Sequence, residues 1–288
     1  MNKHSLSPEL VAQAFSQAAS TYYTQAVVDS AVAEQMRQRL ELFKIVPTHI
    51  LDVGCGTGEQ TQKLQAYYST AHLTGIDIAP GMIELARRRH PALEFSCASV
   101  NHLPFSAHSF DLVFSNMCFH WCNDLTQIFK ECYRVLRPGG LLIFSMAGPD
   151  TLKELRASWA EIDHYPHVHY FPDLHNVGDA LIQSAFQEPV MDIDHYQLLY
   201  PTLYQLLQEL QLTGSRNVLE DRRRGLMSRA QFKQLESAYE TYRTHNQRLP
   251  LSYEITYGHA WVGLNKGRSS LNKESGEVRV NIEDIFRR

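Results

Sequence analysis

The sequence predicts an α/β fold in which a mostly parallel sheet is covered by helices on both faces. Short apolar runs alternate with amphipathic stretches between residues 49 and 147, and a glycine-rich turn follows the first run. This alternation is typical of doubly wound sheets. Two further strand patterns follow later in the chain, with a helical interruption between them. With 288 residues, 44% hydrophobic and 20% charged, the chain is long enough for one large domain with an insertion.

Residues 1–44 are predicted to form a helical segment. Ser7-Pro8 indicates a helix start, because serine caps exposed N–H groups and proline fits the first turn. Apolar residues then recur at helical spacing, at Val11, Phe15, Ala18 and Tyr22. A second helix is expected over about 29–43. We expect this segment to cover the active site.

Five strands and three helices are predicted in the part of the chain that follows. The strands are expected at 49–53, 72–77, 93–97, 110–115 and 141–146. The helices are expected near 59–68, 80–90 and 125–136. Pro138-Gly139-Gly140 is expected to end the third helix and turn the chain into the fifth strand.

The pattern loosens after Ala147. A helix is expected over 151–162 and strands over 190–200 and 252–262. The last strand places one set of side chains on one face at a period of two: Tyr253, Ile255, Tyr257, His259 and Trp261. The predicted division is therefore a core of residues 45–200 and 249–264, a helical insertion or lid at 201–248, and a polar tail at 265–288.

Composition excludes several classes of function. A net charge of −4 argues against a general nucleic-acid binder, and no apolar run is long enough to span a bilayer. Five cysteines lack zinc-ligand spacing, namely Cys55, Cys97, Cys118, Cys122 and Cys132. His164, His167 and His169 have no suitably spaced thiols or acids nearby. We therefore expect a reduced cytoplasmic protein with no signal peptide and no metal.

The glycine-rich turn Gly54-Cys55-Gly56-Thr57-Gly58 predicts a ligand that lies against bare backbone. Glu59 stands where the dinucleotide fingerprint needs glycine, and no P-loop lysine follows, so the turn does not suit phosphate. Asp77 ends the second strand, where a carboxylate can accept both hydroxyls of a ribose. An adenosine that carries a sulfonium and an amino acid fits both features. The alternative is a tight turn with a surface aspartate.

Four motifs carry a resemblance to the class I S-adenosylmethionine-dependent methyltransferases. They are LDVGCGTG (51–58), GIDIAPGM (75–82), LPFSAHSFDLVFSN (103–116) and YRVLRPGGLLIF (133–144). The resemblance implies a Rossmann-like, seven-stranded sheet with an antiparallel last strand. It also implies S-adenosyl-L-methionine as cofactor and S-adenosyl-L-homocysteine as product.

The same resemblance implies a role for each motif position. Gly54, Gly56 and Gly58 would flank the methionine part, Asp52 would reach its ammonium, and Asp77 would hold the ribose. The adenine would contact Ile78, Met82, Ser99 and Val100, and Asn116 would line the methyl-transfer site. Ser99 stands where the family usually has aspartate, and a neutral oxygen accepts the adenine amino group more weakly than a carboxylate.

Segments outside these motifs resemble the malonyl-acyl-carrier-protein O-methyltransferases of biotin synthesis. They are AFSQAASTYYTQA (14–26), SNMCFHWCNDL (115–125), GPDTLKELRASWAEID (148–163), FPDLHNVGDAL (171–181) and LPLSYEITYGHAW (249–261). Two positions depart from that family, because His120 stands where glutamine is common and Gln211 replaces a lysine. The resemblance implies methyl transfer to the free carboxylate of a malonyl group on acyl carrier protein.

A malonyl carboxylate, with a pKa of about 4, is ionised at neutral pH and needs no general base. Its pocket should instead supply alignment, neutral donors and one cation. The candidate catalytic residues are Tyr22, Asn116 and Trp121, although Tyr22 and Trp121 have packing roles as alternatives. Arg229 is the candidate cation. The acidic carrier is expected to dock on a basic patch made of Arg216, Arg222, Arg223, Arg224 and Arg229, with Arg87-Arg88-Arg89 as a second basic run.

Other functions stay open at the level of sequence. The same architecture resembles assembly factors of respiratory complex I that hydroxylate arginine on a protein subunit. A methyltransferase for a small carboxylic acid or a quinone ring is a further possibility. A non-catalytic binding module is the last, because Ser99 is atypical.

Overall fold

All seven predicted strands pair in one sheet in the computed structural model, which describes residues 5–264. The strands are β1 His49–Val53, β2 His72–Asp77, β3 Glu94–Cys97, β4 Phe110–Ser115, β5 Leu136–Ala147, β6 Gln187–Tyr200 and β7 Leu249–Trp261. Their order across the sheet is β3-β2-β1-β4-β5-β7-β6, and β7 is antiparallel to both of its neighbours. The predicted fold class is therefore confirmed. The tail predicted at 265–288 lies outside the described residues.

Nine α-helices accompany the sheet within residues 5–264. They are α1 Pro8–Gln25, α2 Val27–Leu40, α3 Glu59–Tyr67, α4 Pro80–Arg89, α5 Leu125–Val135, α6 Lys153–Ala160, α7 Leu174–Gln183, α8 Leu203–Leu212 and α9 Arg229–Tyr239. The Ser7 hydroxyl accepts a hydrogen bond from the Leu10 N–H, which confirms the predicted start of α1. Helix α7 was not predicted. In the described part of the chain, no helix combines the length and apolarity needed to cross a membrane.

The Pro138-Gly139-Gly140 turn differs from its prediction. Helix α5 ends at Val135, and Leu136 is already extended, with φ −74° and ψ 141°. Arg137 precedes a proline, whose ring disfavours helical backbone at that position. The Pro-Gly-Gly segment instead lies inside β5, where the pairing with β4 shifts register and Gly139 has φ +79°. The turn therefore forms a bulge within the strand and does not end the helix.

Alternating side chains of the central strands build a hydrophobic core on each face of the sheet. On one face Leu51, Val113 and Phe144 pack with α5 and α7. On the other face, Ile50 and Phe114 pack with α2. The predicted face of β7 is confirmed here, because Ile255 and Tyr257 are buried in this second core and Tyr253 and Trp261 pack against it. This frame fixes the strand ends that carry the site.

Helix α1 is held between the sheet domain and the insertion. Its backbone passes so close to α4 that a Cβ on Gly81 would lie 2.7 Å from the Ser16 carbonyl oxygen. On the other side, the Thr21 hydroxyl donates to the Leu212 carbonyl at 2.7 Å, at the end of α8. An isolated bridge between Leu6 and Leu219 ties the start of the described chain to the α8–α9 loop. The N-terminal segment thus roofs the carboxyl edge of the sheet.

Candidate active site

A cleft of about 820 Å³ opens at the carboxyl ends of β1, β2 and β4. The strand order reverses between β1 and β4, and ligands of open α/β sheets bind at such a switch point. The walls come from the glycine loop after β1, the turn after β2 and the turn after β4, and α1 closes the top with Phe15 and Tyr22.

The glycines of the loop after β1 serve different purposes. Gly54, Gly56 and Gly58 all have positive φ, at 74°, 53° and 88°. A Cβ on Gly56 would meet only Tyr22 Cε1, at 3.7 Å, so its backbone borders open cleft. A Cβ on Gly54 would lie 2.5 Å from Cys118 Cβ. Gly58 does not line the cleft, because it packs against Phe95, and its expected place beside the methionine part is not supported.

Two carboxylates flank this loop, of which Asp52 is buried and Asp77 is partly buried. Asp77 accepts the Gly56 N–H at 3.0 Å and the Ala79 N–H at 2.8 Å, one on each oxygen. Burial raises the pKa of Asp77 to about 6, although both hydrogen bonds lower it. Asp52 is 2% exposed and accepts the Thr61 hydroxyl on one oxygen at 2.6 Å, and burial raises the pKa of Asp52 to about 7. Lone pairs of both carboxylates remain for hydroxyl or ammonium groups of a ligand.

The residues expected to contact adenine share the far wall of the cleft. They are Ile78, Met82, Ser99 and Val100. The Ser99 hydroxyl accepts the Asn101 N–H at 3.3 Å. An apolar slot, a carboxylate pair and bare backbone at Gly56 fit a nucleoside with a ribose and an amino-acid tail. The residues present therefore fit S-adenosylmethionine.

A second pocket of about 610 Å³ meets the cleft at four shared residues, which are Phe15, Tyr22, Met117 and Trp121. We call it the acceptor pocket. Its polar lining consists of Tyr22, Gln25, Asp29, His120, Trp121, Thr151, Glu209, Thr213, Ser215 and Tyr253. These residues come from the N-terminal segment, from the core and from the insertion at 201–248. Residues spread through the chain therefore form this pocket.

No lysine or arginine of residues 5–264 lines the acceptor pocket, so the expected cation has no counterpart in this lining. Arg229 is the exposed first residue of α9. Arg156, which was not predicted, lies behind the wall, where its guanidinium donates to the Thr151 carbonyl at 3.1 Å and lies 5.9 Å from the Phe171 ring centre. Burial lowers the pKa of Arg156. The wall itself therefore combines neutral donors with the carboxyl groups of Asp29 and Glu209.

Tyr22 and Asn116 both bind Asp29, a residue that sequence reasoning missed. The Tyr22 hydroxyl donates to the Asp29 carboxylate at 2.8 Å, and the Asn116 amide donates to the Asp29 carbonyl at 3.0 Å. Asn116 also accepts the Ser145 hydroxyl at 2.9 Å, so both ends of its amide are held. Burial raises the pKa of Asp29. The only sequence signal was an acid in the first turn of a helix.

Trp121 and His120 lie in a short 3₁₀ turn, Phe119–Trp121, after β4. Trp121 packs edge-on against Phe15, with ring centres 5.1 Å apart, and lies 4.7 Å from His169. His120 and His169 are both buried and their rings are nearly parallel, with centres 6.4 Å apart. Burial lowers the pKa of His120 well below its usual value and that of His169 to about 4. Both imidazoles are therefore neutral.

Four arginines of the predicted basic patch, at 216 and 222–224, lie in the loop between α8 and α9, and Arg229 begins α9. Arg216 donates to Gln17 of α1 at 2.9 Å, and Arg222 donates to the Leu219 carbonyl at 2.9 Å. Arg224 is exposed in the same loop. The second basic run is engaged locally: Arg87 binds the Phe95 carbonyl, Arg88 lies 3.7 Å from Glu84, and Arg89 pairs with Glu59.

The three clustered histidines do not form a metal site in the structure. His167 stacks on Trp159 at 3.6 Å and its Nε2 lies 2.8 Å from Asp163. Across residues 5–264, no three His, Cys, Asp or Glu side chains are arranged to hold a metal ion. All five cysteines are free thiols.

This sheet, with its cleft at the switch point, defines a class I S-adenosylmethionine-dependent methyltransferase. A family model described as a methyltransferase domain matches residues 51–144. The YcgJ protein of Bacillus subtilis superimposes with a TM-score of 0.58 at 14% identity, over 80% of this chain and 98% of that one. Phosphoethanolamine N-methyltransferase 2 of Haemonchus contortus, crystallised with S-adenosyl-L-methionine, gives 0.51 at 18% identity, over 81% and 53%. These likenesses show the fold.

Relatives of higher identity define the family. The malonyl-[acyl-carrier protein] O-methyltransferase of Methylovorus sp. (strain MP688) is 42% identical over 264 residues, which cover 87% of this chain and 88% of the relative. Malonyl-[acyl-carrier protein] O-methyltransferase 1 of Coxiella burnetii is 40% identical over 278 residues, covering 96% and 95%. The chain belongs to the malonyl-[acyl-carrier protein] O-methyltransferase family.

Proposed function

We propose that this chain methylates the free carboxylate of a malonyl thioester carried by acyl carrier protein, which gives the methyl ester that starts biotin synthesis. The observation that carries the proposal is the acceptor pocket. It meets the cofactor cleft beside Tyr22 and Trp121, and its lining offers neutral N–H donors at His120 and Trp121 together with the carboxyl groups of Asp29 and Glu209. Membership of the family supports the same substrate.

The proposed reaction does not require a side chain of the protein to remove a proton from the substrate. When bound, S-adenosylmethionine supplies a methyl group activated by its sulfonium. The malonyl carboxylate is already ionised, so the residues of the pocket need only hold it and exclude water. Neutral His120 and the hydrogen-bonded Tyr22 are consistent with a site that has no general base. Alignment of the reacting atoms can supply several kcal/mol of barrier lowering, by order of magnitude.

The cofactor would be held by the residues of the first cleft. Asp77 would accept the ribose hydroxyls, and Asp52 would face the ammonium. Gly54 and Gly56 would border the methionine part, and Ile78, Met82, Ser99 and Val100 would contact the adenine. These roles rest on the position of each residue in the cleft wall and on the free lone pairs of the two carboxylates.

The loop that borders the acceptor pocket also offers the surface on which the carrier protein would dock. Thr213 and Ser215 line the pocket at the start of the α8–α9 loop, and the arginines at 216 and 222–224 continue that loop outward. An acidic carrier on this loop would bring its attached thioester to the pocket. In this proposal the N-terminal segment and the insertion at 201–248 act together as a cover over the core.

Purified protein with methyl-labelled S-adenosylmethionine and malonyl-acyl carrier protein tests the proposal. Label should appear on the carrier as a base-labile ester, and acetyl-acyl carrier protein, which lacks the free carboxylate, should stay unlabelled. Transfer to free dicarboxylic acids but not to the carrier would favour a small-molecule methyltransferase. Transfer to no carboxylate would contradict the proposal and favour the arginine-hydroxylase alternative.

A further inference from the structure

His120 presents one ring nitrogen to the protein and leaves the other free. Its Nδ1 lies 3.3 Å from the backbone nitrogen of Ala147, at the end of β5. A backbone N–H can only donate, so Nδ1 must be the acceptor. The ring is neutral, and its single proton is therefore on Nε2. The fold thus fixes the tautomer of this histidine.

The free nitrogen belongs to a wall of the acceptor pocket. His120 lines that pocket, and its Nε2 makes no hydrogen bond to any described residue. His169 provides a contrast, because its Nε2 is completely buried without a partner and His169 does not line the pocket. Trp121, the next residue, also lines the pocket, and its indole N–H makes no hydrogen bond within residues 5–264. Two neutral N–H donors therefore stand on consecutive residues.

Several other polar groups of this wall are already engaged, whereas the side chains of Gln25 and Tyr253 make no hydrogen bond to a described residue. The Tyr22 hydroxyl donates to Asp29, the Thr151 hydroxyl donates to the Glu254 carbonyl, and the Thr213 hydroxyl donates within α8. No lysine or arginine of residues 5–264 lines the pocket. A carboxylate placed here must therefore be stabilised chiefly by neutral donors, of which His120 Nε2–H is one.

We propose that His120 binds the acceptor, with Nε2–H donating to the carboxylate oxygen that does not receive the methyl group. This inference rests on the proposed function. One oxygen must face the methyl group, which leaves the other to be held. Hydrogen bonds from a neutral N–H to an ionised carboxylate are stronger than those between neutral groups. His120 thus recognises the ionised acid and contributes little to an esterified product.

Three variants test this role. His120→Phe keeps a flat ring but removes the donor, and should raise KM for malonyl-acyl carrier protein about tenfold or more with little change in cofactor Kd. His120→Gln restores an N–H donor and should stay within about threefold of wild type, because the lost hydrogen bond is replaced. His169→Phe is the matched control, a buried neighbour that does not line the pocket, and should leave KM unchanged.

A spectroscopic readout separates this role from simple packing. Two-bond ¹H–¹⁵N spectra at neutral pH should show His120 with the proton on Nε2, and malonyl-acyl carrier protein with S-adenosylhomocysteine should shift that signal. A proton on Nδ1, or a folded His120→Phe variant with wild-type KM, would overturn the inference while leaving the proposed function intact. Wild-type protein that neither binds nor methylates the malonyl carrier would overturn the proposed function, and the inference with it.

Discussion

The cofactor cleft and the acceptor pocket share four residues, yet the chain builds them in different ways. The polar lining of the cleft comes mainly from the carboxyl ends of β1 to β4 and the loops that follow them, within residues 53–123. The acceptor pocket is assembled from α1, α2, the turn after β4, the segment after β5, α8 and β7. One site is local in sequence and the other is dispersed. A local site can be recognised as a motif, whereas a dispersed site depends on how whole elements pack.

The largest expected effect concerns the cofactor cleft, and it tests whether the cofactor lies against the backbone of the glycine loop. Gly56→Val should weaken S-adenosylmethionine binding by about a hundredfold or more, because a branched side chain would enter open cleft and is strained at φ +53°. Titration calorimetry measures the Kd for S-adenosylmethionine. Gly225→Val, in an exposed loop with space around it, is the control and should bind normally. Tight binding by a folded Gly56→Val variant would show that the ligand does not lie against this backbone.

The next effect concerns the junction of the two regions. Tyr22→Phe leaves the partly buried Asp29 carboxylate without its hydroxyl donor, and should lower kcat/KM about ten- to a hundredfold with less than about a threefold change in cofactor Kd. Steady-state kinetics and calorimetry measure the two quantities. Tyr204→Phe, which changes an exposed tyrosine of α8, is the control. Equal losses in catalysis and in cofactor affinity would place Tyr22 in the cofactor cleft alone.

A smaller effect is expected at the outer rim of the acceptor side. Charge reversal by substitution of Arg222–Arg224 with glutamate should raise the KM for malonyl-acyl carrier protein about tenfold at low salt. The KM for malonyl-coenzyme A should rise less than about twofold, because this substrate does not need the docking surface. Arg224→Glu and Arg88→Glu form a matched single pair, because Arg88 lies 3.7 Å from Glu84 on α4. Equal effects on both substrates, or equal effects of both single variants, would contradict the proposal that the carrier docks on this loop.

The smallest expected effect is a pH dependence of cofactor affinity that comes from the ionisation of Asp52. The pKa of Asp52 is raised to about 7, so this carboxyl is largely protonated at pH 6 and ionises as the pH rises. An ammonium group favours the ionised form, so cofactor affinity should increase about fivefold between pH 6 and pH 7.5. In Asp52→Asn the remaining rise should follow Asp77, whose pKa is about 6. An unchanged profile in Asp52→Asn would show that Asp52 does not face the ammonium.

The two regions also differ in how far the sequence predicted them. Strands β1, β2 and β4 begin and end where expected, because each is an apolar run bounded by polar or turn residues. Helix α7 was missed, since its ten residues include Gly178 and carry only a short apolar face. Asp29 and Glu209 were missed as pocket residues because nothing local marks them. They reach the site only when α2 and α8 pack beside the sheet.

The charged residues around the acceptor pocket could not be predicted from the sequence either. The chemistry of a carboxylate suggested a cation, and Arg229 was chosen from an arginine-rich stretch. Folding places Arg229 on the surface, and Arg156 from an unrelated motif lies behind the pocket wall. Spacing along the chain cannot predict such contacts between distant segments. The sequence marks His120 only as a residue that stands where glutamine is common, and the direction of its free nitrogen depends on a contact with β5.

Phe15 and Tyr22 of α1 belong to the walls of both cavities, and the same helix is tied to α4 and to the end of α8. A displacement of α1 that opens one cavity therefore disturbs the wall of the other. In the proposed reaction, the exchange of one ligand would then depend on whether the other is still bound.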